Sequence, residues 1–198
     1  MASTLDRGFK AWSERTAQAL RRELGLAGDA PLQPDLLASH LGIILWTPHD
    51  VPGLPEDAFN QLMHEDPWGW SAVSLQVEGQ GIVIYNPKKS KGRKSSDIMH
   101  ELAHIILDHR PATIILSPDL DIAMRSYDPK QEDEANWLAW CLLLPREALV
   151  SARRRGLSAE QIADYYGVTK TLVDFRIQKT GINAQFKVRR LRTYSAKS

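Results

Sequence analysis

The chain has 198 residues, 43% hydrophobic and 25% charged, with a formal net charge of +1; this fits one globular domain with a small appendage and excludes a disordered or low-complexity chain. No apolar run reaches the roughly eighteen residues of a membrane span, and the start MASTLDRGFKAWSERTAQALRREL is a charged amphipathic pattern, not a secretion signal, so a cytoplasmic protein without a membrane partner is expected. The single cysteine, Cys141, cannot form an internal disulfide, fits a reducing compartment and is expected to pack within WLAWCLLLP.

Residues 9 to 24 place apolar and charged positions at helical spacing, and LAGDAPLQP breaks that helix before DLLASHLG begins a short second one. IILW, residues 43 to 46, reads as a strand. AVSLQV and GIVIYN are two β-rich runs joined by EGQG, the pattern of a hairpin. PKKSKGRKSSD leads into an apolar helix, with Ser95, Ser96 or Asp97 expected as its N-cap. QEDEANWLAWCLLLP is a further helix, expected to begin near Gln131. Last comes SAEQIADYYGVTKTLVDFRIQKTG, with Ala163, Gly167 and Val173 at the small, turn and apolar positions of a helix-turn-helix. Helices around a small, mainly antiparallel sheet make the fold class α+β. The expected division is a domain over residues 1–150, then a helix-turn-helix-like segment with a basic tail over 151–198.

The near-neutral total hides an asymmetry: from residue 151 onward eleven Lys/Arg face three acidic residues, a net +8, which leaves −7 on the first 150. A basic end on an acidic body points to a polyanion or an acidic partner, or, over residues 187–198, to a merely solvated tail. Lys170, Arg176 and Lys179 on the second helix of the motif, with Lys187, Arg189, Arg190 and Arg192 beyond it, are the candidate contacts to nucleic acid or to a protein partner. The stretch that would read base edges, Thr169 to Thr171, lacks a dense set of Arg, Asn and Gln, so DNA is the less favoured of the two.

The chemistry concentrates in DIMHELAHIILDH, residues 97 to 109. At about 3.6 residues per turn, His100 and His104 lie one turn apart on one helix face, where both imidazoles can reach a single ion. Glu101, about 100° round from His100, is badly placed as a third ligand on that face but well placed to meet a water at the open metal position, as a general base. Ile98, Leu102, Ile105, Ile106 and Leu107 require the helix to be largely buried, where unpartnered imidazoles and a carboxylate are costly. The alternative is a core helix whose histidines are simply hydrogen-bonded.

A catalytic zinc takes three protein ligands and keeps one position open. His109 follows His104 without the intervening glycine that turns a metzincin chain back to the metal, and is expected to end the helix. In QEDEANWLAWCLLLP, Glu132, Ala135, Asn136 and Ala139 share one stripe whose alanines permit close packing on the active helix. Glu132 is therefore the best third ligand, and Asn136 is placed to hydrogen-bond a ligand histidine's far nitrogen or the ligand carboxylate. Glu134 lies about 200° from Glu132, and Cys141 about 180°. The same acidic run also reads as a helix N-terminus answering its dipole.

On FKAWSERTAQALRRELGL, WSAVSLQVEGQGIVIYN, RKSSDIMHELAHIILDH, EDEANWLAWCLLLP and GVTKTLVDFRIQKTG, the chain resembles the ImmA/IrrE family of metallopeptidases over nearly its whole length. The resemblance implies a zincin-like domain in which His100, His104 and Glu132 hold Zn2+ and Glu101 is the catalytic base. It also singles out Arg93, ahead of the active helix, as a brace for the helix start or a substrate contact. The implied activity is that of a zinc endopeptidase acting on a protein, a helix-turn-helix repressor of a stress-response, mobile-element or toxin–antitoxin locus. The edge of the GIVIYN strand is expected to hold the peptide by strand addition, and Tyr127, His64 and His109 are candidates for stabilising the oxyanion. The competing reading is a DNA-binding regulator that keeps its metal site for stability or sensing and cleaves little.

Overall fold

A computed structural model describes residues 5–109, 114–116, 123–125 and 128–182, the two short internal segments by their backbone alone. Its helices are α1 (Phe9–Glu23), α2 (Pro34–His40), α3 (Glu56–Asn60), α4 (Lys91–Ile106), α5 (Pro129–Leu143), α6 (Arg146–Arg154), α7 (Ala159–Tyr166) and α8 (Lys170–Thr180). Its strands are β1 (Ile44–Trp46), β2 (Ala72–Val77), β3 (Gln80–Tyr85), β4 (Ile114–Leu116) and β5 (Ala123–Arg125). The fold is α+β, as expected, with a sheet that is mixed. Its order is β1-β3-β2, with β2 antiparallel to β3 through Val77↔Gln80 and Ala72↔Tyr85 and β1 parallel to β3 through Ile44↔Ile82. The hairpin turn has Glu78 at φ 51 and Gly79 at φ 83, two left-handed residues in the two-residue turn that matches strand twist.

The expectation for the start of α4 is corrected. Its N-cap is Ser90, so Ser95, Ser96 and Asp97 lie inside the helix. Tertiary packing accounts for the extra turn: Gly92 lies against the turn between α7 and α8, where a Cβ would sit 2.6 Å from the Val168 carbonyl carbon. Only glycine permits that approach. The α5 helix begins at Pro129, two residues before Gln131, with the Asp128 side chain accepting from the Lys130 N–H at 2.9 Å.

The helices α4 and α5 lie face to face. Ile98, Met99, Leu102 and Ala103 of the first pack with Ala135, Leu138, Ala139 and Leu142 of the second in one buried cluster that runs from Ala17 to Ile182. Residue 150, the expected end of the first domain, lies within α6, and the buried cluster continues across it. The helix-turn-helix spacing is realised as read. Ser158 and Gln161 form a capping box on α7, Gly167 takes the left-handed conformation at φ 64, and Thr169 caps α8. Two buried arginines close the far end of α5: Arg21 of α1 donates to the Leu142 carbonyl at 2.7 Å and Arg176 of α8 to the Leu144 carbonyl at 3.0 Å. Burial pulls the Arg21 guanidinium down to about 10. Among the described residues no helix is long and apolar enough to cross a membrane.

Candidate metal centre

His100 and His104, one turn apart on α4, bring their Nε2 atoms to 3.1 Å of each other. The Glu132 carboxylate, from the facing stripe of α5, lies 3.2 Å from His100 Nε2 and 3.5 Å from His104 Nε2. Donors about 2.0–2.1 Å from a tetrahedral ion stand roughly 3.3 Å apart, so all three separations have the size that one ion imposes. Two imidazole nitrogens and a carboxylate oxygen converging in a half-buried site fit a metal ion in their chemistry as well as their spacing. Ala135 and Ala139 are buried, which is how α5 comes close enough to present Glu132. Cys141, on the other side of α5, is fully buried, and desolvation pushes its thiol up to about 12.

Glu101 is 5% exposed and borders, with His100 and Glu132, a cleft of about 520 Å³. Ser74 of β2 donates to its Oε2 at 2.7 Å, a contact that the sequence reading missed because a serine in a strand carries no periodic signal. Arg93 and Asp97 also line the cleft and pair at 3.1 Å. Burial pushes the Asp97 carboxyl up, against the opposing pull of Arg93.

Behind the triad is a second arrangement. Asp108 takes φ 51, its N–H bonds to the Ile105 carbonyl at 3.1 Å, and the His109 N–H bonds to the His104 carbonyl at 3.0 Å. These two bonds make a Schellman ending, with aspartate doing what glycine commonly does. The turn brings His109 Nδ1 to 3.0 Å from His104 Nδ1, and His109 Nε2 to 3.2 Å from the Glu134 carboxylate. The Glu134 carboxylate accepts from His109 Nε2. A His109 that accepts at Nδ1 takes the His104 Nδ1 proton and turns the His104 Nε2 lone pair toward Glu132, the orientation a metal-binding imidazole needs. Asn136 lines the cleft, but His100 Nδ1 is buried without a hydrogen-bond partner among the described residues. The first of the two contacts expected of Asn136, to the far nitrogen of a ligand histidine, is thus absent at His100, and at His104 that nitrogen is met by His109; the ligand carboxylate, one turn away on α5, is its other candidate partner.

The family model for the IrrE N-terminal-like domain, a peptidase family, matches residues 57–178. The chain belongs to that family. No curated protein matches it. Among solved structures, a Mycobacterium tuberculosis transcriptional regulator aligns with a TM-score of 0.50 at 14% identity, over 84% of this chain and 46% of that one. Such a likeness speaks for the fold alone, and the chain spans about half the regulator's length.

The remaining residues of this IrrE-like chain divide as follows. His64 is exposed and packs beside Phe59 at a ring separation of 6.0 Å, apart from the cleft, and His109 is turned inward with its side chain 7% exposed. Neither is placed to stabilise an oxyanion. Tyr127, Arg189 and Arg190 lie outside the described residues. Arg176, expected among the partner contacts, is corrected: it is fully buried and donates to Leu144 and to Glu14, so no phosphate can reach it. Lys170 is exposed but paired with Asp174 at 2.6 Å, and Lys179 is exposed on the last turn of α8. The GIVIYN strand is also corrected. As β3 it is central, covered on one side by β2 and on the other by β1, because β1 joins from far away in sequence. The strand bordering the cleft at an edge is β2, through Ala72, with Ser71 just ahead of it.

Proposed function

We propose that the chain is a zinc-dependent endopeptidase acting on a protein substrate. The observation that carries this reading is the placement of Glu101, buried and fixed by Ser74, on the cleft it shares with His100 and Glu132. Held by His100, His104 and Glu132, zinc would supply Lewis acidity to the scissile carbonyl and the attacking water. Glu101 takes the water's proton at the carboxylate oxygen that Ser74 leaves free and later delivers it to the leaving amine. Ser74 keeps that carboxylate in one orientation, and His109 with Glu134 keeps the His104 ring in one tautomer. Arg93, on the cleft beside Asp97, contacts the substrate backbone.

The peptide binds on the outer edge of β2, which pairs with no further strand among the described residues. The Asn86 N–H donates to the Ser71 carbonyl at 2.8 Å, so alternation turns the backbone groups of Ala72 and Ser74 outward, where an extended chain can pair with them. The resemblance to the ImmA/IrrE family supports a helix-turn-helix repressor as the substrate. The regulator reading, in which α7 and α8 bind DNA, draws on their motif spacing but has to set aside Thr169 and Thr171, which line the cleft.

The test is incubation of the zinc-loaded protein with the helix-turn-helix repressor encoded beside it. A cut that a chelator and Glu101→Gln both abolish is expected. Cleavage by Glu101→Gln at the parent rate would overturn the mechanism.

A further inference from the structure

The cleft is lined by polar groups of α4 with Glu132 and Asn136, and also by an apolar patch of Ala139 and Trp140 of α5 with Leu172 and Phe175 of α8, beside Thr169 and Thr171. The rings of Trp140 and Phe175 stand 4.5 Å apart at 63°. Trp137, 8% exposed, backs both of them, at 6.0 Å from Trp140 and 6.4 Å from Phe175. The surface is therefore formed before any ligand arrives, and little ordering cost opposes binding there.

Its distance from the metal centre is fixed by the helices. The close approach of Gly92 to Val168 and Thr169 locks the start of α8 onto the helix that carries His100 and Glu101. Gly92 precedes His100 by eight residues and Trp140 follows Glu132 by eight, about 12 Å along either axis. An extended peptide covers that in three or four residues at about 3.3 Å each. The hydroxyl of Thr169 is occupied as the α8 cap, accepting from the Leu172 N–H at 3.2 Å.

We propose that Trp140, Leu172 and Phe175 form a pocket that selects a large apolar side chain of the bound peptide within four residues of the scissile bond. This rests on the metallopeptidase reading and adds a specificity determinant to it. The start of the second helix of the motif is thereby a wall of the peptidase cleft.

Hydroxamates test it without knowledge of the natural substrate, because acetohydroxamate reports on the metal centre alone. Tetra-alanine hydroxamates extended on either side of the metal-binding group are titrated into the zinc-loaded protein, with phenylalanine walked through each position. Every affinity is expressed relative to acetohydroxamate on the same protein. One position should gain roughly tenfold or more over alanine, as expected for burying a large apolar side chain. Phe175→Ala should erase most of that gain, and Phe175→Leu should keep part of it. If acetohydroxamate binds but no position gains, or if the gain survives in Phe175→Ala, the pocket is wrong. If acetohydroxamate itself fails to bind, the metal-centre reading is overturned and the pocket with it.

Discussion

His109→Phe keeps a ring of similar size in a nearly buried place while removing both nitrogens that join His104 to Glu134. His104 Nδ1 then loses the His109 contact, which weakens the hold that keeps its ring with Nε2 toward Glu132. Losses of this kind cost about 10–100-fold in metal affinity, or about 1.4–2.7 kcal/mol. Glu134→Ala should cost less, because the two rings still meet, and Glu132→Ala should cost more than either, because it removes a donor of the triad itself. Zinc competition against a chromophoric chelator near neutral pH measures all three. The melting temperature of the metal-free protein supplies the control: an orienting role predicts a deficit concentrated in the metal-loaded form. Parent-like zinc affinity in His109→Phe would refute the argument, and so would equal loss at positions 132 and 134.

Glu101→Gln should bind about one zinc per chain and lose cleavage, since glutamine keeps the shape but cannot take a proton; metal analysis beside a cleavage assay checks both halves. Arg176→Ala should lower stability by about 3–5 kcal/mol, leaving Glu14 and the Leu144 carbonyl without their buried donor, and chemical denaturation reads this directly. Cys141, raised to about 12 by burial, should resist thiol reagents at mildly alkaline pH until the chain unfolds. The same shift sets a sign: above roughly pH 8.5 the unfolded chain sheds this proton first, so stability should fall as pH rises toward 12. Substitutions at Lys170 and Thr171 should weaken a chosen duplex and a scrambled one alike; a single genomic site bound thousands-fold above background would restore the regulator reading.

Much of the centre was legible because helical geometry is local. Two histidines four apart must share a face, and the stripe of Glu132, Ala135, Asn136 and Ala139 could be drawn before any packing was known. Neighbouring residues supply the signals for the hairpin and for Gly167 in the same way. What escaped depends on distant partners. The parallel pairing of β1 made β3 central, the docking of Val168 onto Gly92 extended α4 by a turn, and Glu14 with Leu144 drew Arg176 out of solvent. His109 escaped for a subtler reason: its return toward His104 needs a left-handed residue at position 108, and an aspartate there announces that conformation less clearly than a glycine does.

The two arginines at the far end of α5 bear on where this protein can be cut. The family match runs over residues 57–178 and so leaves out α1, yet Arg21 of α1 holds the Leu142 carbonyl and Glu14 of α1 holds Arg176. A fragment trimmed to the matched region would retain His100, Glu101, His104 and Glu132 but would expose the end of the helix that presents Glu132. Its Arg176 would lose Glu14, the carboxylate it pairs with. The smallest unit able to keep the metal centre in register thus begins no later than α1, ahead of the stretch by which the family is recognised.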